Sequence, residues 1–100
     1  MKKKYEIMFI LNVRMDEESR TGILDKIKQA IEKAEGTVEK VEDMGRKRLA
    51  YLIQKQTDGH YFLINFEANP KLIDGITRVC KLSEHVLRDM IVEREEKKSA

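Results

Sequence analysis

"GRKRLAYLIQKQTDGHYFLINF", residues 45–66, holds two strand-prone runs separated by turn residues. After Gly45, the residues Leu49, Tyr51 and Ile53 alternate with Arg48, Ala50 and Leu52. A two-residue period is the mark of a strand with one covered side, which would anchor this one to the core through Leu49, Tyr51 and Ile53. Gln56-Thr57-Asp58-Gly59 then reads as a turn. The second run places Phe62, Ile64 and Phe66 on one side, and Tyr61, Leu63 and Asn65 on the other. Two such runs around a turn predict an antiparallel hairpin. Because it lies mid-chain, it decides how both flanks must pack.

Upstream, Val38 and Val41 differ in parity, so a bulge is expected between them. Ile23, Leu24, Ile27, Ala30, Ile31 and Ala34 recur at spacings of three and four, which makes one helical stripe. Asp16 offers an N-cap ahead of Glu17 and Glu18, and Gly36 predicts a left-handed stop. Before the helix, Tyr5, Ile7, Phe9, Leu11 and Val13 alternate with Glu6, Met8, Ile10 and Asn12. Downstream, Asn69-Pro70 predicts a helix start, with Leu72, Ile73, Ile76, Val79 and Cys80 as its stripe. A loop, "KLSEH", leads to a last strand from Val86 to about Glu93.

The order is β-α-β-β-α-β, two β-α-β halves joined by the hairpin. Each half needs a right-handed crossover. The economical solution is an α+β fold of the ferredoxin-like split β-α-β class, a four-stranded antiparallel sheet with both helices on one face. One domain over residues 1–94 and a short charged tail over 95–100 are expected.

Composition narrows the function classes. The chain has 100 residues, 41% hydrophobic and 38% charged, with a net charge of +2. That is globular composition, with room for one core. Affinity for a polyanion must come from local clusters. Lys2-Lys3-Lys4 and Arg46-Lys47-Arg48 are such clusters. The single Cys80 cannot form an internal disulfide, and no apolar run is long enough to span a bilayer. A cytoplasmic, non-membrane protein is expected.

Catalysis is poorly provided for. Cys80 lies on an apolar stripe, where a thiol is usually structural. His60 and His85 form no metal-ligand spacing, and no metal or cofactor is expected. Small acylphosphatases share the fold, but their Gly-rich anion loop is missing: "LNVRMDEES" has Arg14 and no glycine. A binding module fits better. The helix-free face should carry Met8, Ile10, Tyr61, Leu63 and Met90, an apolar area suited to a protein partner. Only Tyr61 is aromatic there, so base stacking of the kind seen in RNA-recognition sheets has little support. Arg46 and Arg48, two strand residues apart, would stand about 7 Å apart, near the phosphate spacing of a nucleic-acid strand. A small-molecule-binding regulatory domain of the same fold is the competing reading, distinguishable because it would bind its ligand and ignore RNA.

With these residues in place, the chain resembles the bacterial small-subunit ribosomal proteins of the S-six family. "YEIMFIL", "EGTVEKVEDMGRKRLAYLIQK", "HYFLINFEA" and "VLRDMIV" carry the resemblance, from Lys4 to about Val92. It implies a structural ribosome component, not an enzyme, with no small-molecule substrate. Its implied partners are the central domain of 16S ribosomal RNA and small-subunit protein S-eighteen. Arg46 and Arg48 match the family's basic positions before Leu49-Ala50-Tyr51. Lys81 and Arg88 match basic positions around the last loop and strand, and Lys2 and Lys3 its basic N-terminus. With Lys47, these are the expected RNA contacts. Leu52 stands where the family often has proline, and Lys81 where arginine is common.

Overall fold

Strand β1, Lys3–Asn12, buries every second residue from Tyr5 to Leu11, and this alternation sets the two sides of the sheet. The computed structural model describes residues 2–94, so the expected tail at 95–100 lies outside the described residues. After β1 come α1 (Glu17–Lys33), β2 (Thr37–Ile53), β3 (Gln56–Ala68), a 3-10 turn (Pro70–Leu72), α2 (Ile73–Leu82) and β4 (Val86–Glu93). The sheet order is β2-β3-β1-β4, with all neighbours antiparallel. This is the expected ferredoxin-like topology. Tyr5, Ile7, Phe9 and Leu11 meet Phe62, Ile64 and Phe66 of β3 and Ile23, Ile27, Ile31 and Ile76 of the helices in one core. Phe9 stacks on Phe62 and Tyr5 on Phe66, with ring centroids 5.4 and 5.6 Å apart.

Both ends of α1 are capped. The Asp16 carboxylate accepts the Ser19 N–H at 2.8 Å, and the Ser19 side-chain and backbone hydrogen bonds hold its pKa below the ordinary value. At the other end Glu35 donates to Glu32 O and Gly36 to Ile31 O, the paired bonds of a Schellman stop. The left-handed residue is Glu35, with φ of 59°, and not Gly36 as the sequence suggested. Gly36 is required for a different reason. A Cβ there would collide with the carbonyl oxygens of Glu67 and Ile31. Asn69-Pro70 starts a 3-10 turn and not α2 itself: the Asn69 side chain accepts from Lys71 N–H at 3.0 Å, and α2 follows from Ile73 with no side-chain cap at Leu72.

The hairpin departs from its reading. Its turn is at Gln54-Lys55, both at positive φ (49° and 64°), the pattern of a two-residue type I′ turn. Gln56–Gly59 is therefore strand, and Gly59 is needed because Ile10 and Leu49 press against it. The bulge expected between Val38 and Val41 is present, and a second falls between Asp43 and Gly45. Gly45 takes φ of 79°, and its N–H reaches the Asp43 carboxylate at 2.9 Å.

Three expectations are corrected. Leu49 does not enter the helix-side core: its side chain lies beside Gly59 on the open face, next to Ile10. Tyr51, expected to anchor the strand in the core, is 57% exposed. Ile10, expected to be open to a partner, is only 5% exposed, because Leu49 from the same chain covers it.

Candidate nucleic-acid interface

β1 ends at Asn12, opposite Gly59. Beyond that pair the hairpin has only itself to bond to, so residues 48–58 form an arm leaving the sheet. The arm does not run straight out. The Arg88 guanidinium of β4 lies 5.7 Å from the Tyr51 ring. β2 and β4 are the two edges of the sheet, nominally about 14 Å apart over three strand spacings. The arm therefore leans over the open face, bringing the Tyr51 ring within reach of the Arg88 side chain. The ladder breaks within the arm, where residues 49–52 face only Thr57 between the Arg48–Asp58 and Ile53–Gln56 pairs, and such an irregularity bends a strand.

The cationic run divides between the faces of the arm. Arg46 stands opposite His60 and Arg48 opposite Asp58, on the side continuing the helix-packed face. Lys47, opposite Gly59, points the other way and sits 6.0 Å from the Tyr61 ring. Arg46 is braced, its Nε and Nη2 donating to Asp58 Oδ2 at 3.0 and 2.9 Å. One carboxylate on one guanidinium edge leaves donors free for an anion. Behind this pair, His60 Nε2 lies 2.6 Å from Asp43 Oδ1, and the His60 ring stacks on Phe62 at 4.5 Å. Burial raises the Asp43 pKa, but hydrogen bonds from His60 and the Gly45 N–H outweigh it and hold the carboxyl below its ordinary 3.8. The root of the arm is thus tied to the core through a bulge, a carboxylate and a stacked ring.

The other expected cations separate into two groups. Arg88 pairs in register with Ile10, at the arm's end of the sheet. Lys81 is exposed in the last turn of α2, just before the loop into β4, and so stands at the same end in the helical layer. Lys2 and Lys3 lie at the opposite end, since Lys3 pairs with Ala68, and β1 spans about 30 Å. Lys3 also meets Glu93 at 3.4 Å. The structure thus gathers Arg46, Lys47, Arg48, Arg88 and Lys81 at one end and leaves Lys2 and Lys3 out.

Of the expected partner residues, Met8, Tyr61, Leu63 and Met90 share the open face, with Met8 opposite both Leu63 and Met90. Met90 is 46% exposed and the others half-buried. The same face carries Asn65, whose Oδ1 is buried without a hydrogen-bond partner. Tyr51, exposed and next to Arg88, adds to this surface, and the alternation that assigned it inward concealed it. Asp58 and Asp43 were also missed, because nothing in the local pattern tells that they brace Arg46 and His60.

Among the described residues no group of three His, Cys, Asp or Glu side chains could hold a metal. Cys80 is 1% exposed, and burial, with Asp89 nearby, pushes its thiol up to about 12. At neutral pH it is protonated and a poor nucleophile.

A ferredoxin-like sheet with an exposed cationic arm and a partly open apolar face has the form of a binding module. The family model for Ribosomal protein S6 matches residues 4–93. The small ribosomal subunit protein bS6 of Clostridium novyi is 45% identical over 93 residues, covering 93% of this chain and 98% of that protein. Its counterpart in an Exiguobacterium species is 40% identical over 93 residues, with the same two shares. The crystal structure of 30S ribosomal protein S6 from Thermotoga maritima superposes with a TM-score of 0.88 at 28% identity, covering 94% of this chain and 89% of that one. The C-terminal domain of the MgtC protein from Mycobacterium tuberculosis has the same fold only, at a TM-score of 0.62 and 11% identity. The chain belongs to the Ribosomal protein S6 family, the S-six family of the small bacterial ribosomal subunit. As a ribosomal protein it works in the bacterial cytoplasm, and no helix among the described residues is long and apolar enough to cross a membrane.

Proposed function

We propose that this protein binds the central domain of 16S ribosomal RNA together with small-subunit protein S-eighteen, as a structural and non-catalytic component. One observation carries the reading. The hairpin presents Arg46, Lys47 and Arg48 where the arm leaves the sheet, while Asp58, Leu49 and the Asp43–His60 pair hold its root in place. Pre-ordered cations lose little entropy when they meet phosphates. Arg48 is the freer of the two arginines, since Asp58 already occupies part of Arg46. Lys81 and Arg88, at the same end, extend the phosphate track, and Lys2 and Lys3 reach a separate stretch of RNA or none.

The protein partner takes the open face around Met8, Leu63 and Met90. Tyr61 contributes its ring edge, while Ile10 acts indirectly by supporting Leu49. The test places a charge on that face. Leu63→Asp should leave the isolated fold intact by circular dichroism and abolish co-purification with S-eighteen, since a carboxylate would be buried unpaired. Unchanged co-purification would move the partner to another surface.

A further inference from the structure

We propose that the groove between α1 and α2, on the side away from the sheet, is a docking site for an acidic amphipathic peptide segment of another protein. The groove measures about 600 Å³, within the range of about 300–1,000 Å³ typical of binding sites. Its floor is apolar: Ala30 and Ala34 on one wall, Leu72, Val79 and Leu82 on the other. Leu82 and Leu72, at its two ends, are 76% and 40% exposed. The remaining wall is cationic. Lys26, Lys33 and Lys71 line it, and no carboxylate does. None of the three has an ion pair among the described residues.

This charge pattern selects the occupant. Lys26 and Lys33 stand seven residues apart on α1, two helical turns or about 10 Å. Carboxylates repeating every two turns on an incoming helix would meet both, with Lys71 left for a third. The aliphatic stems of the lysines extend the apolar floor while their ammonium groups reach the rim. A nucleic-acid backbone would use the lysines but gain nothing from Leu72, Val79 and Leu82. A purely apolar helix would gain from the floor but leave the cations unmatched.

Gly75 points the same way from a separate observation. It lies within α2 and lines the groove, and a Cβ there would meet nothing within 4 Å. Glycine weakens a helix, and nothing inside this chain requires it here. It does let an outside backbone come close to α2. The groove lies on the helical layer and the arm leans over the sheet, so the two sites are separate except at the Leu82 end, which adjoins Lys81.

The test uses the full chain, labelled with nitrogen-15 and titrated with a synthetic amphipathic helix bearing leucines on one face and glutamates at its flanks. Amides of Ala30, Ala34, Gly75 and Val79 should shift while those of Met90 and Tyr51 stay still, and affinity should fall with salt. Replacing Lys26, Lys33 and Lys71 together with serine should weaken binding by at least about tenfold. Gly75→Trp, which fills the groove from an open position, should do the same without lowering the melting temperature. The proposal falls if a twin peptide with lysine in place of glutamate binds as well. It also falls if single-stranded RNA shifts the same amides more tightly, or if no amide moves at about 1 mM peptide.

Discussion

At the scale of the residue, the arm depends on groups that look unremarkable in sequence. Asp43 sits in an acidic stretch that reads as solvated surface, yet it accepts from the Gly45 N–H and pairs with His60. Its folded pKa lies below the ordinary 3.8, so its contribution to stability is present above that value and lost as pH falls through the folded value. Asp43→Asn should therefore lower stability at about pH 5 and above, with the deficit vanishing in strong acid. Denaturant titrations of both proteins across that pH range check this, and a deficit that persists in strong acid would show the effect is steric. Register and charge cannot reveal such a pairing beforehand, because Asp43 and His60 meet only through the bulge that sets Gly45 at positive φ.

At the scale of the element, periodicity served well wherever one face was continuously buried. β1, β3 and α1 were legible because their apolar residues repeat against a single core. Ile27, fully buried beside Phe9 in that core, tests this directly. Ile27→Ala should cost about 2–5 kcal/mol in a denaturant titration, and a loss below about half a kcal/mol would mean that the helix presents another face. The arm was misread for the opposite reason. Leu49 and Tyr51 alternate as a core-facing strand would, but the ladder breaks between Arg48 and Ile53, so the alternation no longer refers to one sheet face. The Gln54-Lys55 turn was hidden too, since neither residue is the glycine or asparagine that usually marks positive φ. Leu49 is the arm's apolar fastening, so Leu49→Ala should cost about 2 kcal/mol. Amide exchange should quicken over residues 46–58 while the centre of β1 stays protected. Uniform quickening would show instead that Leu49 supports the whole fold.

At the scale of the whole molecule, the fold separates its surfaces. The sheet face offers apolar contact, the arm offers cations at one end, and the helices carry the lysine-rimmed groove behind. The fold class could be read from the order of elements alone. The candidate site could not, because the cations gathered at the arm come from β2, α2 and β4, and Lys2 and Lys3 look equally basic in sequence yet sit about 30 Å away. The central claim is that the arm binds phosphates. Its most direct test is a salt-titrated binding isotherm for the protein with S-eighteen on a central-domain RNA fragment, comparing the wild type with Arg46→Ala/Arg48→Ala. Removing the cation from one phosphate should reduce the log–log salt slope by about 0.7 to 0.9, with Arg48→Ala alone giving the larger share. A slope unchanged in the double variant would contradict the account and leave the arm a merely solubilising hairpin.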